Sequence, residues 1–284
     1  MKVQFYQNDT TSFLNDAFDI LLENEAQNSI FISNAQRGKE KDRDTSNWFC
    51  ATVKNDGGGV IASAMCTPPF NIIIYETGNK HNGETIDFLA KELFNAGYLL
   101  PGVLSEKTTA ESFAESYAKF AQKNTRVHMD LNAMRLDNLA EVDFASGYLR
   151  EITEEDLYYL PYWANAFQIE CKLGIGEIME QYERCKSVIS QNKSFVWVDK
   201  TPASMAEQTR QMPNGAVISR VYTPPFYRNK NYCTSCVWHL SKLLLDKGNK
   251  FVSLYADAGY PVSNKVYQKI GFRNVCLYRE IRFE

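Results

Sequence analysis

The stretch "VYTPPFYRNKNYC", residues 221–233, decides the fold, because an apolar strand in it runs through two prolines and a short basic turn into a helix. A strand, a tight turn and a helix N-terminus together form an anion site, since free backbone N–H groups converge there. The helix dipole favours negative charge at that end by about 0.3 to 1 kcal/mol. The sequence therefore predicts a phosphate site, to which Arg228 and Lys230 add positive charge.

Four residues of this stretch, "TPPF", occur twice, at residues 67–70 and 223–226. Each copy follows a similar series of helix, strand, turn and second strand, so the repeat predicts two duplicated domains, residues 1–146 and 147–284. In the second series, the segment that holds Pro202, Pro213 and Gly215 is interpreted as a turn region. A strand that ends in Pro-Pro has no backbone donors there, so we expect its ladder to stop or splay and to leave backbone groups available to a ligand.

Length and composition narrow the class of protein. A chain of 284 residues with 44% hydrophobic residues can bury the cores of two domains. A net charge of -3 and the lack of a Lys/Arg cluster argue against a nucleic-acid partner. The first residues lack the apolar region of a signal peptide, and no run approaches the roughly 18 apolar residues of a membrane span, so a cytoplasmic protein without a membrane partner is expected.

The seven cysteines are scattered and odd in number, which argues against a disulfide framework. Cys233 and Cys236 form a C-x-x-C with His239 three residues further on, a spacing that suggests either a metal or a redox site. No second ligand pair at zinc spacing follows, and these three positions share one face of a helix. Helix packing is therefore favoured and no metal is expected, whereas a redox role would predict a reactive thiol.

A second informative stretch, "LYADAGYPVSNKVYQKIGF", covers residues 254–272. It predicts a strand, a loop, a helix that opens near Ser263 and a helix end at Gly271. Asn264 and Tyr267 lie three residues apart, so their side chains project from one helix face. An amide can bond a peptide-like ligand, and a phenol can donate a proton.

These two stretches resemble the acetyl-CoA-binding half of the GNAT superfamily of N-acetyltransferases. The resemblance implies an α/β fold, an α+β mixed sheet flanked by helices, with acetyl-CoA as co-substrate. It also implies that Asn264 bonds the cofactor and that Tyr267 is the catalytic proton donor beside its sulfur. The remaining cofactor-binding residues that it implies are Val221, Tyr222 and Thr223 on the pantetheine strand and Arg228, Asn229, Lys230, Asn231, Tyr232 and Cys233 in the pyrophosphate loop.

The rest of the chain is similar to a bacterial group of tandem GNAT proteins, through "TPPFNIIIY", "LLPGV" and "LREITEEDLYYLPYWANAFQIE". That resemblance implies two tandem GNAT-like domains, of which the first is degenerate and lacks the pyrophosphate loop. The chain departs from the family pattern at Asn229 and Asn231, where the loop would have glycines. Asparagine is the next most tolerant of a left-handed backbone, but it adds a side chain, so the loop either binds acetyl-CoA or has drifted.

The function expected from the resemblance is transfer of an acetyl group from acetyl-CoA to a primary amine, which attacks the thioester directly while Tyr267 protonates the departing thiolate. A non-catalytic acyl-CoA-binding module is the alternative, and an aminoacyl-tRNA-dependent transferase is disfavoured by the charge. The acceptor is a small-molecule or peptide amine of open identity, and a homodimer is left open. Five aromatic residues early in the second domain could line the acceptor site, although core packing is favoured for each: Tyr158, Tyr159, Tyr162, Trp163 and Phe167. The general base is left open among Glu170, Glu177, Asp199 and Asp257.

Overall fold

The C-terminal strand of the chain belongs to a different folding unit from the residues that precede it. The computed structural model describes residues 1–79 and 81–284. It divides into unit 1, Met1–Ala133 with Asn274–Glu284, and unit 2, Met134–Arg273. The boundary that the repeat predicts between residues 146 and 147 therefore falls inside unit 2, because the chain leaves unit 1 earlier and its last strand returns there. As a division of function, that boundary stays a prediction.

Unit 1 contains a mixed sheet with helices. Its elements are β1 (Lys2–Gln7), α1 (Thr10–Leu22), α2 (Ser29–Arg37), β2 (Phe49–Lys54), β3 (Val60–Cys66), β4 (Ile72–Glu76), α3 (Gly83–Asn95), β5 (Gly102–Glu106), α4 (Lys107–Ala121) and the start of β6 (Thr125–Leu136), which carries the chain into unit 2. The strand β12 (Arg273–Phe283) supplies its last strand. The order is β1-β2-β3-β4-β5-β12, with β4 and β5 parallel and the other neighbouring pairs antiparallel.

The core of unit 1 follows from its sequence periodicities. The apolar residues of α3, from Ile86 through Leu89 to Leu93, recur at helical spacing and are all fully buried. They pack with the central strands, where Ile72 and Ile74 of β4 belong to the same buried cluster. Asn82 precedes this helix, and its side chain accepts the N–H of Thr85 at 3.3 Å, which caps the helix start.

Unit 2 repeats this plan, with four strands before its central helix as in unit 1. Its elements are β7 (Tyr148–Glu151), α5 (Leu160–Glu170), α6 (Ile178–Ile189), β8 (Ser194–Asp199), β9 (Thr201–Gln211), β10 (Gly215–Tyr222), α7 (Tyr232–Asp246), β11 (Phe251–Asp257) and α8 (Pro261–Ile270). The strand order is β11-β10-β9-β8-β7. Only the pair formed by β10 and β11 is parallel among these neighbours. No helix within the described ranges combines the length and apolarity that a bilayer crossing needs.

The structure corrects the interpretation of the "TPPF" repeat. Most of the segment interpreted as a turn region, including Pro202, forms β9, a strand that pairs with both β8 and β10. Pro213 lies between β9 and β10, and Gly215 begins β10. The first copy therefore links β3 to β4, which remain paired as far as Met65 and Ile73, whereas the second copy follows β10 and leads to α7. The two copies thus occupy different places in their units, and the strand of unit 1 that corresponds to β10 is β4, because it precedes the central helix. The first pair of prolines opens no gap between its neighbouring strands.

Candidate functional site

The site in unit 2 begins where two parallel strands separate. Pairing between β10 and β11 covers Gly215, Ala216 and Val217 and ends at the Val217–Ser253 pair. Beyond it, β10 continues to Tyr222 along β9, with register shifts at Val217/Ile218 and between Ser219 and Tyr222. Arg220 within this irregular part has φ of 51°, a left-handed conformation that bends a strand. The separation therefore begins at the register shift after Val217, six residues before Pro224, the first of the prolines to which the sequence attributed it.

The loop after β10 exposes the start of α7. A 3₁₀ turn at Pro225–Tyr227 leads to Asn229 and Asn231, whose φ angles are 61° and 59°. Asparagine adopts this left-handed conformation more readily than other non-glycine residues. Both asparagines therefore have the backbone conformation that glycine would have at these positions. The N–H of Ser235 donates to the carbonyl of Asn231 at 2.9 Å, and the three N–H groups before it have no intrahelical acceptor. They are therefore available to an anion.

A cavity of about 440 Å³ lies between the separated strand, this loop and α8. Nine predicted cofactor residues line it, whereas Lys230 and Asn264 do not. The lining also includes residues that the sequence analysis did not assign to a cofactor site: Glu170, Tyr227, Thr234, Tyr260, Val262, Ser263 and Val266. Of these, Tyr260 and Val262 flank the proline that opens α8, and that Tyr-Pro-Val sequence was the available signal.

Arg228 is held in the cavity wall by a carboxylate. Its guanidinium donates to both oxygens of Glu170 at 2.7 and 2.8 Å and to the carbonyl of Thr223 at 2.9 Å. Its cationic carbon also lies 5.9 Å from the centre of the Tyr222 ring. Burial lowers the pKa of Arg228, but the hydrogen bonds to Glu170 outweigh it and raise the pKa above its ordinary value. The cation expected to meet a phosphate is thus paired with Glu170 when the cavity is empty.

Tyr267 lies in the apolar wall of the same cavity. It is 8% exposed, and its ring contacts Phe272 edge-on at 6.0 Å. Burial, followed by the nearby thiols of Cys233, Cys171 and Cys236, raises the pKa of its phenol well above the ordinary value. The phenol therefore stays protonated at neutral pH and can donate a hydrogen bond into the cavity.

Asn264 holds the loop that leads from β11 to α8. Its amide nitrogen donates to the carbonyl of Asp257 at 2.7 Å and to that of Tyr260 at 2.9 Å. Both of its N–H groups are therefore engaged within the loop. These bonds position Tyr260 at the cavity. The Asn264 side chain therefore has a structural role. A cofactor contact from Asn264 stays a prediction.

The C-x-x-C pair packs within α7. Cys236 is fully buried, and its thiol donates to the carbonyl of Ser204 at 3.6 Å. Cys233 lines the cavity, and burial raises the pKa of its thiol to about 11. Both cysteines are free, and no group of three or more metal-ligating side chains occurs in the described part of the chain. The raised pKa leaves little thiolate at neutral pH, which disfavours a redox role.

In unit 1, a carboxylate of the protein itself lies at the start of the central helix α3. Glu76 ends β4 and is 6% exposed; it accepts the N–H of Asn82 at 2.7 Å, just before α3 begins. The hydroxyl of Thr109 and the ring of His81 also contact this carboxylate. A glutamate side chain therefore accepts the N–H just before the central helix of unit 1, whereas α7 has no side-chain cap.

Comparison with known proteins places this site in a family. Residues 156–272 match the family model described as the acetyltransferase (GNAT) family, and all of them lie in unit 2. The match includes β10, the loop with its two left-handed asparagines, α7 and Tyr267. Comparison with curated protein sequences gives no match.

Three of the solved structures similar to the whole chain are described as GNAT or GCN5-related proteins. An acetyltransferase of the GNAT family from Colwellia psychrerythraea is 11% identical with a TM-score of 0.58, over 100% of this chain and 99% of that chain. A GCN5-related N-acetyltransferase from Sphaerobacter thermophilus is 11% identical with a TM-score of 0.62, over 99% and 95%. A tandem GNAT protein from the clavulanic acid biosynthesis pathway is 10% identical with a TM-score of 0.55, over 99% and 98%. At such identities the likeness establishes the fold.

The separated strand, the open helix start and the cavity between them belong to a mixed α/β fold. The tandem GNAT structure shares this fold. Residues 156–272 carry a GNAT acetyltransferase domain, and this match identifies the chain as an acyltransferase. The predictions of the fold class and of the GNAT family are confirmed, whereas the degenerate character of the first copy stays a prediction.

Proposed function

We propose that unit 2 binds acetyl-CoA in its cavity and transfers the acetyl group to a primary amine. The pantetheine would lie along Val221, Tyr222 and Thr223, on the side of β10 that β11 has left. The pyrophosphate would meet the first N–H groups of α7. The observation that carries this proposal is the end of β10–β11 pairing at Val217, which opens the cavity towards that helix start. GNAT acetyltransferases use acetyl-CoA as their acetyl donor, in agreement with the family match.

Cofactor binding would exchange the partner of Arg228. A pyrophosphate offers more negative charge than one carboxylate and can accept both N–H groups of a guanidinium. Because the Arg228–Glu170 pair is partly exposed, giving it up costs about 0.2 to 1 kcal/mol. The cofactor would therefore displace Glu170 and leave its carboxylate free at the cavity.

Glu170 is then our candidate for the general base. Of the four carboxylates that the sequence left open, it lines the cavity, whereas Glu177, Asp199 and Asp257 are absent from its lining. Asp199 accepts hydrogen bonds from Ser146 at 2.7 Å and from Tyr232 at 2.6 Å. The released carboxylate would take a proton from the amine as its nitrogen attacks the thioester carbon. The C–S bond then breaks, and the acetyl group leaves on nitrogen.

Tyr267 would stabilise the departing thiolate. A phenol has an ordinary pKa of about 10 and a thiol one of about 8.5, and burial moves the Tyr267 phenol further from the thiol. Complete proton transfer from Tyr267 to the thiolate is therefore uphill. A hydrogen bond donated to the developing charge, with the net proton supplied by the amine, accounts better for this residue than outright protonation.

The acceptor would be a small-molecule or peptide amine that reaches the cavity past α5. Tyr158 and Tyr162 near the start of α5 are 72% and 64% exposed, whereas Tyr159, Trp163 and Phe167 pack against the core cluster of this region. The exposed pair is available to an acceptor with an apolar portion. The packed residues fulfil the core role that was favoured for them.

Unit 1 would be a degenerate copy that binds no acetyl-CoA. The supporting observation is the bond from the Asn82 N–H to Glu76. A pyrophosphate would have to displace a buried carboxylate of its own sign. With unit 1 as the degenerate copy, residues 1–146 and 147–284 describe the proposed division of function.

Calorimetric titration with acetyl-CoA tests the proposal. We expect saturable binding that is lost in Arg228→Ala/Lys230→Ala and retained in Lys186→Ala/Lys242→Ala. The control pair removes the same charge from exposed lysines that are ion-paired within their own helices. Amine-dependent release of free CoA thiol then separates a transferase from an acyl-CoA-binding module. Binding without thiol release across a panel of amines would favour the module, and no binding at millimolar acetyl-CoA would refute both.

A further inference from the structure

A serine, a histidine and a glutamate form a hydrogen-bonded chain in unit 1, away from the cavity of unit 2. The Ser112 hydroxyl lies 3.0 Å from Nε2 of His81, and Nδ1 of His81 lies 3.0 Å from Oε2 of Glu76. Ser112 lies in the second turn of α4, His81 just before α3 and Glu76 at the end of β4. Three separate elements thus bring together the residue types of a nucleophile, its base and the carboxylate that orients the base.

The hydrogen bonds fix the direction of proton transfer along this chain. Glu76 is 6% exposed, and its other oxygen accepts the N–H of Asn82 at 2.7 Å. A carboxylate can only accept, so Nδ1 of His81 carries the hydrogen of its bond to Glu76. In the neutral imidazole, Nε2 is then the lone-pair nitrogen and accepts from the Ser112 hydroxyl. This tautomer is the one in which a histidine can act as a general base towards a serine.

The N-terminus of α3 supplies donors beside this chain. Gly83 is the first residue of the helix, and a Cβ placed on it would lie 3.9 Å from Nε2 of His81. The N–H groups of Gly83 and Glu84 belong to the first turn, where N–H groups have no intrahelical acceptor. An oxyanion that forms when Ser112 attacks a carbonyl beside His81 would therefore be within reach of backbone donors.

A cavity of about 620 Å³ adjoins the histidine and the helix start. Its walls include Glu76, His81, Asn82, Gly83 and Glu84. Ser112 is not part of the wall itself and adjoins the cavity through its 3.0 Å contact with His81. The two carboxylates disfavour an anionic substrate, so acyl-CoA is a poor candidate here. The charge of these walls favours a small neutral or cationic ester.

The geometry points to a second acyl-transfer centre in unit 1, a serine esterase site with Ser112 as nucleophile, His81 as general base and Glu76 as the residue that orients it. Ser112 attacks the ester carbonyl as its proton passes to Nε2, and His81 returns that proton to the departing alcohol. Water then attacks the acyl-serine, His81 takes the proton of the water, and the carboxylic acid leaves as Ser112 regains its hydrogen. One ester and one water give one acid and one alcohol. This centre does not depend on acetyl-CoA binding in unit 2.

A fluorophosphonate probe tests the nucleophile, because it forms a Ser–phosphorus bond and releases fluoride only at activated serines. We expect mass spectrometry of the labelled full-length chain to locate the phosphonate on Ser112. Labelling should be lost in Ser112→Ala and retained in Ser116→Ala. Ser116 is the matched control, since it lies one turn further along α4 and donates to Asp87 without a histidine partner.

Hydrolysis of p-nitrophenyl acetate by the same variants tests the base. His81→Gln keeps a polar side chain at a partly exposed position and should lower kcat/KM about 100-fold or more, with acetyl-CoA binding by calorimetry unchanged. If the three residues only hold α3 against α4, the variants should lose thermal stability and the wild type should show no probe labelling. No labelling of Ser112 above Ser116, or hydrolysis that Ser112→Ala retains, would overturn the assignment.

Discussion

The Glu170–Arg228 pair leads to a prediction in which cofactor binding and turnover change in opposite directions. Glu170→Gln removes the charge from a pair whose side chains are 44% and 34% exposed. Pairs of this exposure contribute about 0.2 to 1 kcal/mol. Because the variant no longer competes with the pyrophosphate for Arg228, acetyl-CoA should bind about 1.4-fold to 5-fold more tightly.

Turnover of the same variant should fall steeply. A glutamine cannot accept a proton from the attacking amine, and a positioned general base contributes about 100-fold to 10,000-fold to a rate. The fall should appear in kcat, since the cofactor is bound at least as well as before. A residue that only shaped the loop would weaken binding and turnover together.

Two assays separate these outcomes. Calorimetry measures the Kd for acetyl-CoA at low and high salt, where the gain in affinity should shrink with ionic strength. Thiol release at saturating acetyl-CoA measures kcat for the amine. Glu177→Gln is the matched control, because Glu177 is exposed, lies outside the cavity lining and carries the same charge. Weaker acetyl-CoA binding by Glu170→Gln, or wild-type turnover, would refute the reasoning.

Three further predictions concern other parts of unit 2. Tyr267→Phe should lower kcat by about 10-fold to 150-fold, the loss of one hydrogen bond to a charged group, with an unchanged Kd for acetyl-CoA; equal turnover would remove Tyr267 from the mechanism. Asn231→Val should weaken acetyl-CoA binding by about 5-fold to 30-fold, because a left-handed residue with a branched Cβ costs about 1 to 2 kcal/mol, whereas calorimetry of Asn231→Gly should show retained binding. Burial raises the pKa of Asp156, but hydrogen bonds from Arg150, Thr153 and Tyr159 lower it overall. This carboxylate therefore stabilises the fold at pH values above its unfolded pKa of about 3.9. The stabilisation is lost as the pH falls through the lower folded pKa. Chemical unfolding should therefore show Asp156→Asn less stable by about 1.5 to 3 kcal/mol at pH 7, and a difference that persists unchanged at pH 2 would contradict this account.

The loop and helix of the proposed cofactor site could be predicted from the sequence because their determinants are local. The apolar spacing of α7, the basic turn and the asparagines all lie within one continuous stretch. Left-handed φ angles at Asn229 and Asn231 follow from the tolerance of asparagine for that region. Tyr267 at the cavity follows from its helical spacing and from the family resemblance.

The strand β9 could not be predicted because its stability comes from its neighbours. Its sequence, "TPASMAEQTRQ", is poor in the branched and aromatic residues that favour strands. Pairing on both sides overrides this composition. Glu207 within it is 4% exposed and accepts a hydrogen bond from Arg184 of α6 at 2.7 Å. Only the tertiary structure explains a charged residue at that position of a central strand.

Two other features depend on residues that are far apart in sequence. Glu170 and Arg228 are separated by 58 residues, and neither has a local pattern that specifies the other. The chain of Ser112, His81 and Glu76 likewise joins a helix, a loop and a strand end. The assignment of β12 to unit 1 follows from its pairing with β5, and no motif in either strand indicates that partner. Such contacts are products of topology, and sequence spacing alone does not reveal them.

The two units meet the same physical requirement at their central helices in opposite ways. A helix start has N–H groups that need acceptors, and leaving them without any is costly when they are removed from water. In unit 1 the Asn82 side chain caps α3, and Glu76 accepts the N–H just before it. In unit 2 Asn231 precedes α7 in a left-handed conformation, with no side-chain cap. A cap would stabilise α7 more cheaply, so the open start is best explained by an acceptor that comes and goes, and the phosphates of a cofactor are such an acceptor.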